Sequence, residues 1–166
     1  MRTTPERRRA QDGSAGVPGS DAPILICYDD TDGARHAIDV AATLFVGRRA
    51  IVLDVAPFLT AAESIAETST VAPNFGELNT ADALKRAETG AALARGAGFT
   101  AEAQANLDAP TWEGIVEVAD EIGAAVIVLG SRGLKGVREA FEGSVSHDVA
   151  EHAGRPVLIV PPPRAA

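Results

Sequence analysis

The chain has 166 residues, of which 46% are hydrophobic, which suits one domain with a packed core and leaves too little for two. Its formal net charge of -8 argues against DNA, RNA or an anionic membrane as the main partner. The single cysteine, Cys27, excludes an intramolecular disulfide, and its apolar surroundings favour a small core residue over a nucleophile. Neither a membrane-spanning stretch nor the apolar segment of a signal peptide is found, which predicts a cytoplasmic protein.

The N-terminal part of the chain predicts a polar tail followed by two strands with a helix between them. Residues 1–22 are rich in Arg, Gly, Ser, Pro and Asp without periodicity, and we expect a disordered tail there. The continuous apolar run 24–28 predicts a strand buried on both faces. Apolar residues then recur at helical spacing over 37–45, and a second apolar run over 50–55 predicts the next strand.

The middle of the chain is less regular. Residues 57–78 mix Ser, Thr, Pro and Gly with single apolar residues, and we expect a long loop containing at most one helical turn. The Ala-rich, charged segment 80–97 predicts a second helix. A weak alternation over 99–107 predicts a strand with one solvated side.

The C-terminal part predicts two further helices and two strands. Asp108 or Thr111 is expected to cap the third helix, with Pro110 in its first turn. The third helix is expected to turn Ile115, Val118, Ala119 and Ile122 inward, and a strand over 124–129 follows it. The fourth helix is expected to turn Val145, Val149 and Ala153 inward, and a strand over 157–160 follows it. Alternating apolar strands and helices predict an α/β fold over residues 23–163, an open five-stranded parallel sheet with helices on both faces.

A glycine pattern near the C-terminus predicts a ligand site. Gly130 and Gly133 directly follow the fourth strand, and Gly143 and Ser144 open the last helix, in the spacing G-x-x-G-x9-G-S. Glycines after a buried strand let backbone N–H groups approach a ligand, and a helix N-terminus favours an anion. The pattern therefore indicates a phosphate-bearing ligand. Structural roles remain open too, since Gly130 and Gly133 would also serve as turn glycines and Ser144 as a helix cap.

A polar loop follows the first strand as well. Asp29 stands at the strand end, where its carboxylate suits hydrogen bonding to ribose hydroxyls. It would equally cap the first helix, as would Thr31 or Asp32. The two unusual loops, after strands one and four, flank one crevice if these strands are neighbours in the sheet.

Several motifs of other nucleotide and hydrolytic sites are absent from the sequence. It contains no P-loop, no G-x-G-x-x-G after the first strand and no G-x-S-x-G nucleophile elbow. His36, His147 and His152 show no metal-ligand spacing. We therefore predict no catalytic residue and no protein-held metal, and expect any Mg²⁺ to be bound through the phosphates.

These motifs resemble the universal stress protein family over residues 23–161, most closely over 126–133, 143–146 and 153–160. In that family the complete glycine spacing marks the ATP-binding branch. The resemblance implies sheet order 3-2-1-4-5, ATP between strands one and four, and a homodimer formed through the last strand, Val157–Val160.

The resemblance also implies a role for each candidate residue. Asp29 would meet the ribose or adenine side, Val55 would offer backbone atoms to adenine, and Gly130 would lie against the ribose. The phosphates would be held by Gly133, Gly143, Ser144 and Val145. Asp30 and Thr31 stand where the family often has Gly and Ser, and an inward-pointing Asp30 would weaken nucleotide binding.

The function we expect is a nucleotide-dependent stress or signalling module that binds ATP and hydrolyses it slowly at most. AMP and ADP fit the same residues. One alternative is an adenine-nucleotide enzyme, an ATPase or an adenylyl-transferring protein, with residues 57–78 as the candidate for its second substrate pocket. The other is a nucleotide-free dimeric interaction protein in which the glycine loop is vestigial.

Overall fold

The computed structural model describes Gly19 and residues 21–57, 75–108, 110–131 and 145–163. Most of the predicted tail at 1–22 and most of the predicted loop at 57–78 lie outside these residues. The described elements, in chain order, are β1 (Ile24–Cys27), α1 (Asp32–Leu44), β2 (Arg49–Pro57), α2 (Phe75–Gly96), β3 (Thr100–Asp108), α3 (Thr111–Glu121), β4 (Val126–Gly130), α4 (Val145–His152) and β5 (Val157–Val160). Among them, no helix combines the length and apolar character that crossing a bilayer requires.

The strands form one five-stranded sheet in the order β3-β2-β1-β4-β5. Every described strand pair is parallel, and β1 lies between β2 and β4. The predicted α/β fold and strand order are thereby confirmed. The apolar character of the strands agrees with parallel pairing, because helices cover both faces of a parallel sheet and so exclude water from both.

Side chains of successive strand residues alternate between two separate cores. Ile24 and Ile26 of β1 pack with α1 and α2, whereas Leu25 packs with α3 and α4. The helical stripe predicted from spacing supplies the first core, where Ala37 and Ile38 are almost fully buried. This alternation assigns each polar residue at a strand end to one of the two faces.

The ends of several elements differ from the predictions, and β2, predicted over 50–55, spans Arg49–Pro57. Helix α2 begins at Phe75, earlier than the predicted start at residue 80. Strand β4 begins at Val126 rather than at residue 124, because the Ala124 N–H donates to the carbonyl of Ala119 and so closes the turn after α3. Gly123 follows the C-cap of α3 and adopts a φ of 61°.

The predicted caps of α3 are wrong. The N-cap position is Pro110 itself, with φ -76° and ψ 154°, and no side chain caps the helix there. Asp108 instead ends β3, where it pairs with Pro57, and Thr111 is already helical. Proline suits this position because its ring presets φ near the observed value.

The inward position predicted for Val145 is also wrong. Val149 is fully buried, but Val145 is 39% exposed. The i, i+4 spacing puts both on one stripe of α4. Val145 opens the helix at the carboxyl edge of the sheet, where the strands that cover Val149 come to an end.

Candidate functional site

The carboxyl ends of β1 and β4 are the point where the sheet reverses its winding. From β1 the chain continues to β2 on one side, and from β4 it continues to β5 on the other. The helix after β1 covers one face and the helix after β4 covers the opposite face. Open parallel sheets leave a crevice at such a point, and ligands bind there.

Asp29 lies in the loop between β1 and α1, with its carboxylate tied to the same loop. Its Oδ1 accepts hydrogen bonds from the Thr31 hydroxyl at 2.6 Å and from the Thr31 backbone N–H at 3.2 Å. Thr31 is the N-cap of α1, since its Oγ1 accepts the Ala34 N–H at 3.2 Å. Of the three cap candidates, the structure assigns Thr31 and leaves Asp29 at the crevice.

Gly130 ends β4 in close contact with the first turn of α1. A Cβ at this position would lie 2.4 Å from the Gly33 carbonyl oxygen and 2.9 Å from the Ala34 nitrogen. The glycine is therefore required by packing between the two elements that flank the crevice. The next residue, Ser131, donates its N–H to the Val160 carbonyl at 2.7 Å, which also ties this strand end to β5.

Val55 lies on the other side of Asp29. It belongs to β2 and is half-buried against the core that α3 and α4 cover. Cys27 pairs with Leu53 across the two strands, so Val55 and Asp29 each stand two residues beyond that pair. Three adjacent strands thus each bring one residue to or near their carboxyl ends: β2 brings Val55, β1 brings Asp29 and β4 brings Gly130.

The remaining predicted contacts belong to the glycine loop and the helix after it. Gly133, Gly143 and Ser144 lie outside the described residues. Val145 is the first described residue of α4, at the same edge of the sheet.

The carboxylate of Asp30 is engaged by two neighbouring side chains. The Tyr28 hydroxyl donates to it at 2.9 Å, and Arg35 of α1 forms an ion pair with it. Tyr28 is buried in the core under α1 and α2, and burial together with this hydrogen bond raises its pKa to about 12. The negative charge of Asp30 is therefore paired with Arg35. Asp30 has a φ of 62°, a conformation that glycine adopts more readily.

A buried ion pair lies next to this loop and was not predicted from the sequence. Asp54 of β2 is only 5% exposed, and the Arg86 Nε on α2 lies 2.5 Å from its Oδ2. Burial raises the pKa of Asp54, Arg86 opposes that rise, and the charges of Asp29 and Asp30 add to it. The signal in the sequence is a lone carboxylate within the apolar run 51–55, because a buried charge needs a partner.

Cys27 and His152 both pack against neighbouring side chains. Cys27 is half-buried, and burial, helped by the nearby carboxylates Asp29 and Asp54, raises the pKa of its thiol. It is therefore a thiol at neutral pH, which agrees with a core role. The His152 ring stacks on Trp112 with a centroid separation of 4.4 Å. Within the described residues, no three His, Cys, Asp or Glu side chains gather as a metal site requires.

The model of the Universal stress protein family matches residues 22–161 of this chain. The chain belongs to the universal stress protein family. A family relative, Universal stress protein YxiE of Bacillus subtilis, is 50% identical over 46 residues. That match spans 28% of this chain and only 31% of the relative, less than a third of its length.

Solved structures share the fold of this universal stress protein. Hypothetical protein MJ0577 is similar with a TM-score of 0.68 and 23% identity, over 87% of this chain and 99% of that one. A universal stress protein in complex with cAMP has a TM-score of 0.62 and 23% identity, over 85% and 97% of the two chains. The universal stress protein of Archaeoglobus fulgidus in complex with dAMP has a TM-score of 0.56 and 21% identity, over 83% and 96%.

Proposed function

We propose that this universal stress protein binds ATP in the crevice between β1 and β4 and acts as a nucleotide-dependent stress or signalling module. The observation that carries the proposal is the convergence of Asp29, Val55 and Gly130 at the carboxyl ends of three adjacent strands. This is the edge at which open parallel sheets bind ligands. Asp29 and Gly130 were selected from the sequence pattern, and the family resemblance implies the role of Val55.

The described residues fit an adenine nucleotide chemically. The carboxylate of Asp29 accepts hydrogen bonds, and the ribose hydroxyls are donors that a charged acceptor binds well. Val55 lies two residues before the end of β2, and we expect its backbone atoms to meet the edge of adenine. For the phosphates, the motif predicts Gly133, Gly143, Ser144 and Val145, and the N-terminal N–H groups of a helix suit an anion. Mg²⁺ would be bound through the phosphates.

Two structural neighbours support the adenine part of the proposal. Their ligands, cAMP and dAMP, share the adenine base but differ in the sugar and the phosphate. Recognition of the adenine base is therefore the feature we carry over to this chain. ATP as the preferred nucleotide comes from the glycine spacing, and AMP and ADP remain compatible with it. Slow hydrolysis at most follows from the absence of a catalytic motif in the sequence.

We further propose that the protein is a cytoplasmic homodimer formed through β5. This strand lies at the edge of the sheet, and Ile159 within it is 40% exposed. An apolar edge strand is a ready surface for pairing with another chain. Because Ser131 donates to Val160 of β5, the end of β4 lies one hydrogen bond from that edge.

Asp29→Asn is expected to weaken ATP binding about tenfold, since a hydrogen bond to a charged group contributes about 1.5 kcal/mol or more. The amide oxygen still accepts from Thr31, so the loop keeps its conformation. Glu121→Gln is the matched control, because Glu121 is exposed at the end of α3, on the opposite edge of the sheet. Calorimetric titration with ATP measures both variants. Equal affinities in both would contradict the assignment of Asp29.

A further inference from the structure

We propose that Thr31 is a positioning residue that sets the orientation of the Asp29 carboxylate toward a ribose hydroxyl of the bound nucleotide. The inference rests on the proposed function and names a determinant of its sugar selectivity. It is carried by three hydrogen bonds that join one residue, Thr31, to Asp29 and to the start of α1.

The hydroxyl of Thr31 has a single proton, and the surrounding groups decide where it goes. The Ala34 N–H can only donate, so at 3.2 Å it donates to the Thr31 oxygen. The carboxylate of Asp29 accepts, so at 2.6 Å the hydroxyl proton is directed to its Oδ1. The hydroxyl therefore links a helix amide to the carboxylate in one continuous chain of hydrogen bonds.

The same carboxylate oxygen also accepts the Thr31 backbone N–H at 3.2 Å. Two donors on one oxygen restrict rotation of the carboxylate about its Cβ–Cγ bond. Both donors belong to a single residue, so the loop conformation and the carboxylate orientation are set together. Removing the hydroxyl leaves only the longer of these two bonds.

The far end of the hydrogen-bond chain is rigid. Ala34 is 4% exposed within the core, and the first turn of α1 packs directly on Gly130 at the end of β4. Thr31 thereby positions Asp29 relative to both walls of the crevice. An accepting group held at a fixed position selects for a hydroxyl better than a mobile one, because it has less freedom to lose on binding.

A helix cap alone would account for only one of these bonds, the one from Ala34. It would require neither the short bond to Asp29 nor a hydroxyl proton. The two roles are separable by substitution. Thr31→Ser keeps both, Thr31→Val removes both, and Thr31→Asp retains an acceptor for Ala34 but has no proton for Asp29.

The test measures sugar selectivity, the ratio of the Kd of a deoxy nucleotide to that of ATP, with 2′-deoxy-ATP and 3′-deoxy-ATP as probes. We expect wild type to favour ATP about tenfold over one of them, the size of effect typical of a hydrogen bond to a charged group. Thr31→Ser is expected to retain this ratio, whereas Thr31→Val and Thr31→Asp bring it close to one. The ratio is insensitive to a variant's folded fraction and to added charge, since both affect the two ligands alike.

Three results would overturn the positioning role of Thr31. A wild-type ratio retained in Thr31→Asp and Thr31→Val would overturn the positioning role and leave the proposed function intact. ATP binding without hydroxyl preference in wild type would also overturn it. Absence of ATP binding by wild type would overturn the proposed function together with this inference. If Thr31→Val does not fold, the comparison of Thr31→Asp with Thr31→Ser decides alone.

Discussion

Gly130→Ala is expected to lower the free energy of unfolding by about 3 kcal/mol, the upper end of the usual cost of inserting a methyl group into a packed site. The added Cβ would lie 2.4 Å from the carbonyl oxygen and 2.5 Å from the carbonyl carbon of Gly33. These are backbone atoms in the first turn of α1, so no side-chain rotation relieves the clash. Urea unfolding followed by the fluorescence of Trp112, the one tryptophan in the sequence, measures the loss.

Gly96→Ala is the control for that substitution. Gly96 ends α2, and a Cβ there would meet nothing within 4 Å. The unfolding free energy is expected to stay the same or rise slightly, because alanine is the better helix former. The clash in Gly130→Ala would displace the first turn of α1, and with it the N-cap Thr31 that binds Asp29. ATP affinity should therefore fall in Gly130→Ala and not in Gly96→Ala. Wild-type stability in that variant would contradict the close contact between β4 and α1.

Arg86→Met is the second substitution with a large expected effect, a loss of about 3 kcal/mol in unfolding free energy at pH 7. Removing one partner of a buried pair leaves an uncompensated charge, here on Asp54, which is 5% exposed. The lower end of the usual range applies because Arg86 is itself 37% exposed. Arg49→Met is the control, since the pair of Arg49 with Glu102 is exposed and should contribute less than about 1 kcal/mol.

The loss in Arg86→Met should depend on pH. Burial raises the pKa of Asp54 above its unfolded value of 3.8, and Arg86 opposes that shift. A carboxyl whose pKa is raised in the folded state destabilises it as pH rises through the folded pKa, and this effect is absent below the unfolded pKa. Without Arg86 the shift is larger. The deficit is therefore expected to shrink as pH falls from 7 toward 4, measured by urea unfolding at each pH, and a pH-independent deficit would contradict the account.

Most of the fold follows from local sequence patterns. The apolar run of β1 and the helical spacing of α1 each reflect burial against one neighbour, so periodicity predicts them directly. The sheet order came from the family resemblance, because pairing between distant strands leaves no local pattern. The wrong prediction of the cap of α3 also has a local cause. Asp108 and Thr111 are good capping residues, but extension of β3 to Asp108 and the fixed φ of proline decided the start of α3.

The candidate site was only partly predictable. Asp29 and Gly130 were selected because they follow buried strands, and the structure places them on neighbouring strand ends. The need for glycine at Gly130 arises from contact with α1, which is distant in sequence and invisible to spacing. The pairing of Asp54 with Arg86 is missed for the same reason, since its partners lie on a strand and on the helix that follows a long intervening segment.

The proposal of a nucleotide-binding module is tested most directly by calorimetric titration of the full chain with ATP and Mg²⁺. Wild type is measured beside a Gly143→Val/Ser144→Ala double variant, which alters the glycine motif and leaves Asp29, Val55 and Gly130 in place. We expect micromolar binding by wild type, a free energy of about -8 kcal/mol, and its loss in the double variant. Absence of binding by wild type, or equal binding by both proteins, would contradict it.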